Sequence, residues 1–281
     1  MKIGHTGITW GIPGDVEAAY RDTAELGYLS FETFAFIIID WNQKPGGWKA
    51  LIERNGIPTS AAYCYKEWVE PDKAKQDLTE AKREADSARE AGASSLVLQG
   101  GSRPDGGIGD EAMQRLAEAL NRIGEYCNGI GLSASLHPHT RTAIETREDI
   151  DAIMRLTEPG LMGFAPDTGQ IAKGGSDIIE VLTTYRDRIE HVHLKDWNGH
   201  TDRNEAGERV DLSGYANYEP IGNGVLPMPE ILRILDEAPQ EFWVNVELDG
   251  TDRAPRPPRE AAAMSREYLG EVLGERVAWT R

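Results

Sequence analysis

Short β-rich runs alternate with longer amphipathic runs eight times along this chain, and few architectures accept that pattern. The strand-like runs are 2–9, 28–33, 58–62, 95–99, 132–136, 163–166, 190–194 and 242–247. The helix-like runs are 15–26, 47–54, 73–91, 110–128, 147–156, 177–185, 228–236 and 259–273. Acidic residues open several of the helical runs, and Gly92 and Gly129 stand where two of them should stop. Strand-helix-strand alternation implies a parallel sheet with right-handed crossovers. Eight repeats favour closure into a (β/α)8 TIM barrel, one domain spanning 1–281, over an open doubly wound sheet. No Gly-x-Gly-x-x-Gly follows the first strand, which speaks against a dinucleotide site. "QGGSRPDGGIGD" follows the fourth strand and lacks the Lys-Ser/Thr ending of a phosphate loop, so it reads as a loop lining the site. The long irregular piece 196–227 follows the seventh strand and belongs on the same face of a barrel.

Barrel chemistry is carried at the C-terminal ends of strands. There the sequence delivers Glu32, Gln99, His137, His139, Glu145, Asp167, His193, Lys195 and Glu247. In "RIEHVHLKDW" alternate residues share a face, so His191, His193 and Lys195 point the same way. Each residue has a plain structural reading. Asp167 suits a helix N-cap, Glu145 a first helical turn, Glu32 the surface, and Glu247 an Arg partner. His137, His139 and His193 suit a hydrogen-bonded core. The combination is harder to explain that way. Asp167, His193 and Glu247 take the same place on successive strands, and carboxylates converging without a partner are costly to bury. A divalent cation removes the conflict. Imidazole with carboxylate suits Mn²⁺, Co²⁺, Fe²⁺ or Zn²⁺ better than Ca²⁺.

Bulk properties narrow the function further. A net charge of −17 repels nucleic acid and anionic membranes. No apolar run approaches the roughly 20 residues of a membrane span, and "MKIGHTGITW" lacks a signal pattern, so a cytoplasmic location is expected. Cys64 and Cys127 follow no metal-ligand spacing and read as reduced thiols in the core.

"HPHTRTAIET", "APDTGQIAKGG", "RIEHVHLKDW", "IGNGVLPMPEILRIL" and "VNVELDGT" together resemble the xylose isomerase-like TIM-barrel superfamily. That superfamily includes sugar epimerases, endonuclease IV and inosose dehydratase, and the inosose dehydratase-like branch is the nearest in pattern. The resemblance runs from about 131 to 250; earlier it rests on "GITWG" and Glu32. It implies one divalent metal, Mn²⁺ or Co²⁺ ahead of Zn²⁺, Fe²⁺ or Mg²⁺, held by Asp167, His193, Glu247 and a fourth ligand. Glu145 is favoured for that place and His137 is the alternative. It further implies a ketosugar or ketopolyol substrate, enolised beside its carbonyl by isomerase, epimerase or dehydratase chemistry. Glu247 or Glu145 would take the proton, and Glu32, His137 or His139 would return one. Lys195, His137, His139, Gln99 and Trp10 would contact substrate, with Phe34, Trp41, Trp68 and Trp197 as further stacking candidates. Endonuclease-type DNA repair is disfavoured by the acidic surface and by the small number of His residues, six. A non-catalytic sugar-binding or partner subunit is the remaining alternative. Relatives of this kind pair into homo-oligomers, which the resemblance extends to this chain.

Overall fold

The computed structural model describes residues 1–201, 217–249, 256–277 and 279. In chain order the strands are β1 (Lys2–Thr6), β2 (Phe31–Phe34), β3 (Thr59–Cys64), β4 (Ser95–Gln99), β5 (Ser133–His137), β6 (Gly163–Phe164), β7 (His191–Leu194), β8 (Asp196–Trp197), β9 (Tyr218–Glu219) and β10 (Trp243–Val246). Eight of them form one parallel sheet in the order β6-β5-β4-β3-β2-β1-β10-β7. Parallel bridges Phe164–Ile189 and Asp167–His193 join the two ends, closing a (β/α)8 TIM barrel. The closure itself therefore sets two of the expected metal ligands side by side. β8 and β9 form a separate antiparallel ribbon on the C-terminal face.

The helices are α1 (Val16–Glu25), α2 (Ala35–Trp41), α3 (Gly47–Asn55), α4 (Ala74–Glu90), α5 (Asp110–Gly129), α6 (Arg147–Leu156), α7 (Thr168–Lys173), α8 (Ile178–Tyr185), α9 (Met228–Asp236) and α10 (Pro258–Leu273). Side-chain caps start α1, α6, α7 and α8. Asp15 Oδ1 accepts from Ala18 N at 3.0 Å, and Thr146 with Asp149 makes a reciprocal capping box on α6. The main core lies between the strands and the helices. Inside the barrel, Ala61, Val97 and Ala165 pack under Tyr63.

Two short helices depart from the pattern read in the sequence. α2 forms from "AFIIIDW", an apolar run without helical polarity, because Ala35, Ile37 and Ile38 are buried. α7 has six residues and exists through the Asp167 cap. The first strand ends at Thr6 instead of 9, and one 3₁₀ turn, Gly7–Trp10, follows. Both cysteines are free and buried; burial pushes Cys127 up to about 12 and Cys64 well above its usual value, as fits packing thiols. No helix among the described residues is long and apolar enough to cross a membrane.

Candidate active site

The mouth of the barrel holds a cavity of about 450 Å³. Its polar floor comes from the ends of β2, β5, β7 and β10, and its lining includes Glu32, Gln99, His137, His139, His193 and Glu247. Asp167 lies just behind, fully buried. The ring of His137 sits 4.6 Å from that of His193, and His137 Nε2 is 3.9 Å from Asp167 Oδ2. His193 Nδ1 is 3.0 Å from Glu247 Oε2. His137, Asp167 and His193 offer ligand atoms within 4.8 Å of one another, which is the spacing a single ion needs.

His191 and His193 do share a face, as strand alternation requires. Both reach the same carboxylate: His191 Nε2 lies 2.8 Å from Glu32 Oε2, and His193 Nε2 lies 2.8 Å from Glu32 Oε1. Asn245 Nδ2 donates to Glu32 Oε2 at 2.6 Å. Burial works to raise the Glu32 pKa, but the two imidazoles outweigh it and hold the carboxyl ionised far below its usual range. Glu32, His191 and His193 also satisfy the spacing for an ion, deeper in the barrel.

Lys195 is the third member of that face and is fully buried. Its Nζ lies 2.6 Å from Glu247 Oε1, 2.7 Å from Asp249 Oδ2 and 2.8 Å from Asp167 Oδ2. Burial alone would lower this amine, but the three carboxylates hold its pKa well above the usual value. Gly169 leaves room for the stem, since a Cβ there would meet Lys195 Cγ at 2.8 Å. Asp167 takes both roles read for it: Oδ1 caps α7 by accepting from Gln170 N at 2.9 Å, and Oδ2 faces Lys195. Burial raises its pKa against the pull of Lys195. Burial also pushes Asp249 up to about 6. For Glu247, His193 and Lys195 outweigh burial and hold it well below its usual value.

The remaining candidates divide. His139 lines the cavity, and its Nδ1 lies 2.7 Å from the Thr140 carbonyl, so Nδ1 carries the proton and Nε2 the lone pair. Burial and Lys195 push it down to about 3, so it is neutral. His137 is likewise lowered well below its usual value by burial and by His193. Glu145 is buried outside both ligand clusters, with Arg103 Nε 3.5 Å from its carboxylate, and does not line the cavity. Trp10 also lies away from it: its indole donates to Asp22 Oδ2 at 3.2 Å, and its ring stands edge-on to His5 at 5.3 Å. Of the other aromatic candidates only Phe34 lines the cavity. Trp68 is buried and donates to the Gln99 carbonyl, Trp41 packs on Trp48 and Lys44, and Trp197 donates to the His200 carbonyl. The glycine-rich loop contributes Gly101 and Ser102 to the lining. Of the piece 196–227, residues 202–216 lie outside the described residues.

Four contributors escaped sequence reasoning. Asn245 and Asp249 flank Glu247 at two-residue spacing in "VNVELD", so the same alternation rule that linked His191, His193 and Lys195 was available for them. Tyr63 stacks on His193 at 6.0 Å, and Arg141 lines the cavity with φ 68°, a left-handed conformation that non-glycine residues seldom hold away from functional sites. Neither announces itself in the sequence.

A family model described as "Xylose isomerase-like TIM barrel" matches residues 20–271. An inosose dehydratase of Geobacillus kaustophilus is 27% identical over 299 residues, covering 97% of this chain and 95% of that protein. The crystal structure of the IOLI protein with a bound zinc atom superposes with a TM-score of 0.80 at 17% identity, covering 99% of this chain and 100% of that one. The 3-keto-D-glucoside 4-epimerase of E. coli superposes with a TM-score of 0.70 at 18% identity, covering 97% and 98%. At these identities the two structures speak for a shared fold.

Proposed function

The chain belongs to the xylose isomerase-like TIM barrel family, and on that premise we propose that it is a divalent-metal-dependent enzyme that enolises a ketosugar or ketopolyol. The observation that carries this reading is the convergence of His137, Asp167, His193 and Glu247 at the floor of the cavity. The donor set fits a metal on physical grounds. Four carboxylates, those of Glu32, Asp167, Glu247 and Asp249, are buried together against one ammonium, that of Lys195. Asp167 Oδ2 and His193 Nδ1 approach their charged neighbours without hydrogen-bond alignment. Both are atoms whose lone pairs a cation would accept.

Asp167, His193, Glu247 and His137 would hold the ion, with Mn²⁺ or Co²⁺ the preferred occupants. Such an ion supplies Lewis acidity toward the carbonyl or diol oxygens of a substrate. The protein does the rest. Glu247, ionised and braced by Lys195, is the carboxylate placed to take the proton beside the carbonyl. Lys195, expected from the sequence to contact substrate, is fully buried and does not line the cavity; its ammonium holds Glu247 ionised from behind. His139, neutral and with its Nε2 an acceptor, is placed in the cavity wall to relay a proton. Return of the proton to the other face gives epimerisation, return to the neighbouring carbon gives isomerisation, and loss of a β-hydroxyl gives dehydration. The inosose dehydratase of G. kaustophilus favours the last.

The test is deuterium uptake. The protein loaded with Mn²⁺ or Co²⁺ would be incubated in D₂O with scyllo-inosose and a panel of ketohexoses, and the recovered sugars weighed by mass spectrometry. Deuterium beside the carbonyl, lost in Asp167→Asn, is the expected result. A metal-loaded protein that exchanges no proton in any of these sugars overturns the reading.

A further inference from the structure

The cavity is divided into two unlike halves. The polar floor comes from the ends of β2, β5, β7 and β10. The outer wall, which also carries Lys66 and Glu84, draws Ile8, Ile12, Phe34, Phe36 and Tyr65 from the ends of β1, β2 and β3 and the segments that follow them. Four large hydrophobic side chains are exposed among the described residues, and three of them, Ile12 (50%), Phe36 (40%) and Tyr65 (40%), rim this one cavity. Scattered exposed apolar residues need no explanation, but a cluster at the lip of a site marks a binding surface. The cluster is also continuous with the polar floor. Phe36 packs on Phe34 at 5.4 Å, Phe34 stands edge-on to Tyr63 at 5.1 Å, and Tyr63 packs against both His137 and His193 at 5.2 and 6.0 Å. Tyr65 is held in place, since its hydroxyl contacts Ser102 Oγ at 2.9 Å and also the Glu67 carboxylate. An aromatic ladder thus runs from the candidate metal ligands out to the rim.

A volume of about 450 Å³ falls in the range that buries drug-sized molecules, and a single six-carbon polyol ring fills only part of it. A free inosose or ketohexose, hydroxylated all round, would leave the apolar half of the wall facing water. We infer that the cavity takes a keto-glycoside, with its keto ring on the polar floor and a second ring, apolar on at least one face, against Ile12, Phe36 and Tyr65. An aryl aglycone and a second pyranose both present such a face. The inference rests on the enolisation read above and adds the substrate class.

The experiment compares deuterium exchange in methyl 3-keto-β-D-glucoside, phenyl 3-keto-β-D-glucoside and 3-keto-cellobiose, in the wild type and in Phe36→Ala. Wild-type kcat/KM should exceed that of the methyl glycoside by about tenfold or more for at least one two-ring substrate, a size of effect that apolar pockets deliver. Phe36→Ala should shrink that ratio. The two-ring substrate that gains names the source of the second ring. Equal constants for all three in the wild type overturn the inference while leaving enolisation standing. A second arm needs no turnover: unreactive phenyl β-D-glucoside, followed by saturation-transfer NMR on the metal-loaded protein, should receive saturation on its aryl protons, weakened by Phe36→Ala. If no sugar exchanges, the enolisation reading has failed and this arm alone decides the subsite. Absent aryl saturation overturns it. So does a Phe36→Ala protein whose sedimentation mass changes while its selectivity does not, because the rim would then be a face between copies of the chain.

Discussion

Glu32 and His193 meet deep in the barrel, Oε1 to Nε2, at 2.8 Å. Burial alone would lower the His193 pKa, but Glu247 and Glu32 raise it well above its usual value, so without an ion both ring nitrogens carry protons. An ionised carboxylate can only accept, so with an ion on Nδ1 the ring would keep its one proton on Nε2, toward Glu32. Glu32 is thus placed to set the His193 tautomer, a role distinct from the proton return expected from the sequence. Replacing it by Gln keeps the shape and removes the charge. Glu32→Gln should weaken Mn²⁺ affinity by roughly 10–100-fold, the usual effect of losing such a partner. Competition with a fluorescent chelator measures this, and an affinity within twofold of wild type would return Glu32 to a packing role.

Lys195 is the counter-charge for three buried carboxylates. Lys195→Met keeps the stem and deletes the ammonium. Removing one partner of a buried ionic cluster costs about 3–5 kcal/mol, so unfolding in chelator should occur at markedly lower denaturant. Added Mn²⁺ should then restore more stability to the variant than to the wild type, because the same carboxylates gain the ion. Equal stabilisation of both proteins by Mn²⁺ would show that these carboxylates do not face the ion.

The fourth ligand can be separated by paired variants. His137 lies beside Asp167 and His193, whereas Glu145 lies against Arg103. His137→Ala should reduce Mn²⁺ affinity beyond the roughly 10–100-fold typical of outer partners. Glu145→Gln should leave affinity nearly unchanged and lower Tm through Arg103. The reverse order would reinstate the ligand that the sequence pattern favoured.

The barrel was legible because its signals are local. Eight alternations, the caps at Asp15 and Asp177 and the stop glycines all act within a few residues. The strand-end residues were legible for the same reason, since period-two alternation placed His191, His193 and Lys195 on one face. What failed was long-range. Glu32 and His191 are 159 positions apart in sequence, and no pattern in either segment reports that they touch. Glu145 follows a His-rich run on the correct strand, yet the turn made by Thr142 and Arg141 carries it past the mouth, where Arg103 meets it. Helix α2 was hidden because its apolar run has no polar face; its burial comes from elements folded over it.

Asp196 organises the loop that follows the site. Its carboxylate accepts from Gly222 N at 2.9 Å, Gly224 N at 3.0 Å and Leu226 N at 3.3 Å. That loop begins beside Tyr218, whose ring lies 4.8 Å from Lys195 Nζ. Asp196→Ala leaves these three amides, and that of Trp197 at 2.8 Å, without their acceptor. Their hydrogen exchange should quicken on the order of tenfold, in line with the worth of a hydrogen bond to a charged group. Unchanged protection at Gly222 and Gly224 would mean that packing alone holds the loop.

Glu190 sits at the opposite, N-terminal end of β7, facing Gly163, where a Cβ would meet its carboxyl at 2.5 Å. Burial raises its pKa, against weaker help for the charged form from Ser135, Ser133 and Arg188. A carboxyl whose folded pKa is raised adds stability while it is protonated, below its ordinary value. That contribution is lost as pH climbs through the raised one. Glu190→Gln mimics the protonated form at every pH. Its Tm should match wild type near pH 4 and exceed it near pH 8, by roughly 1–3 °C for a domain of this size. A variant less stable than wild type at pH 8 would show that the ionised carboxylate is a net stabiliser there, through Arg188, and would reverse the sign assigned to its burial.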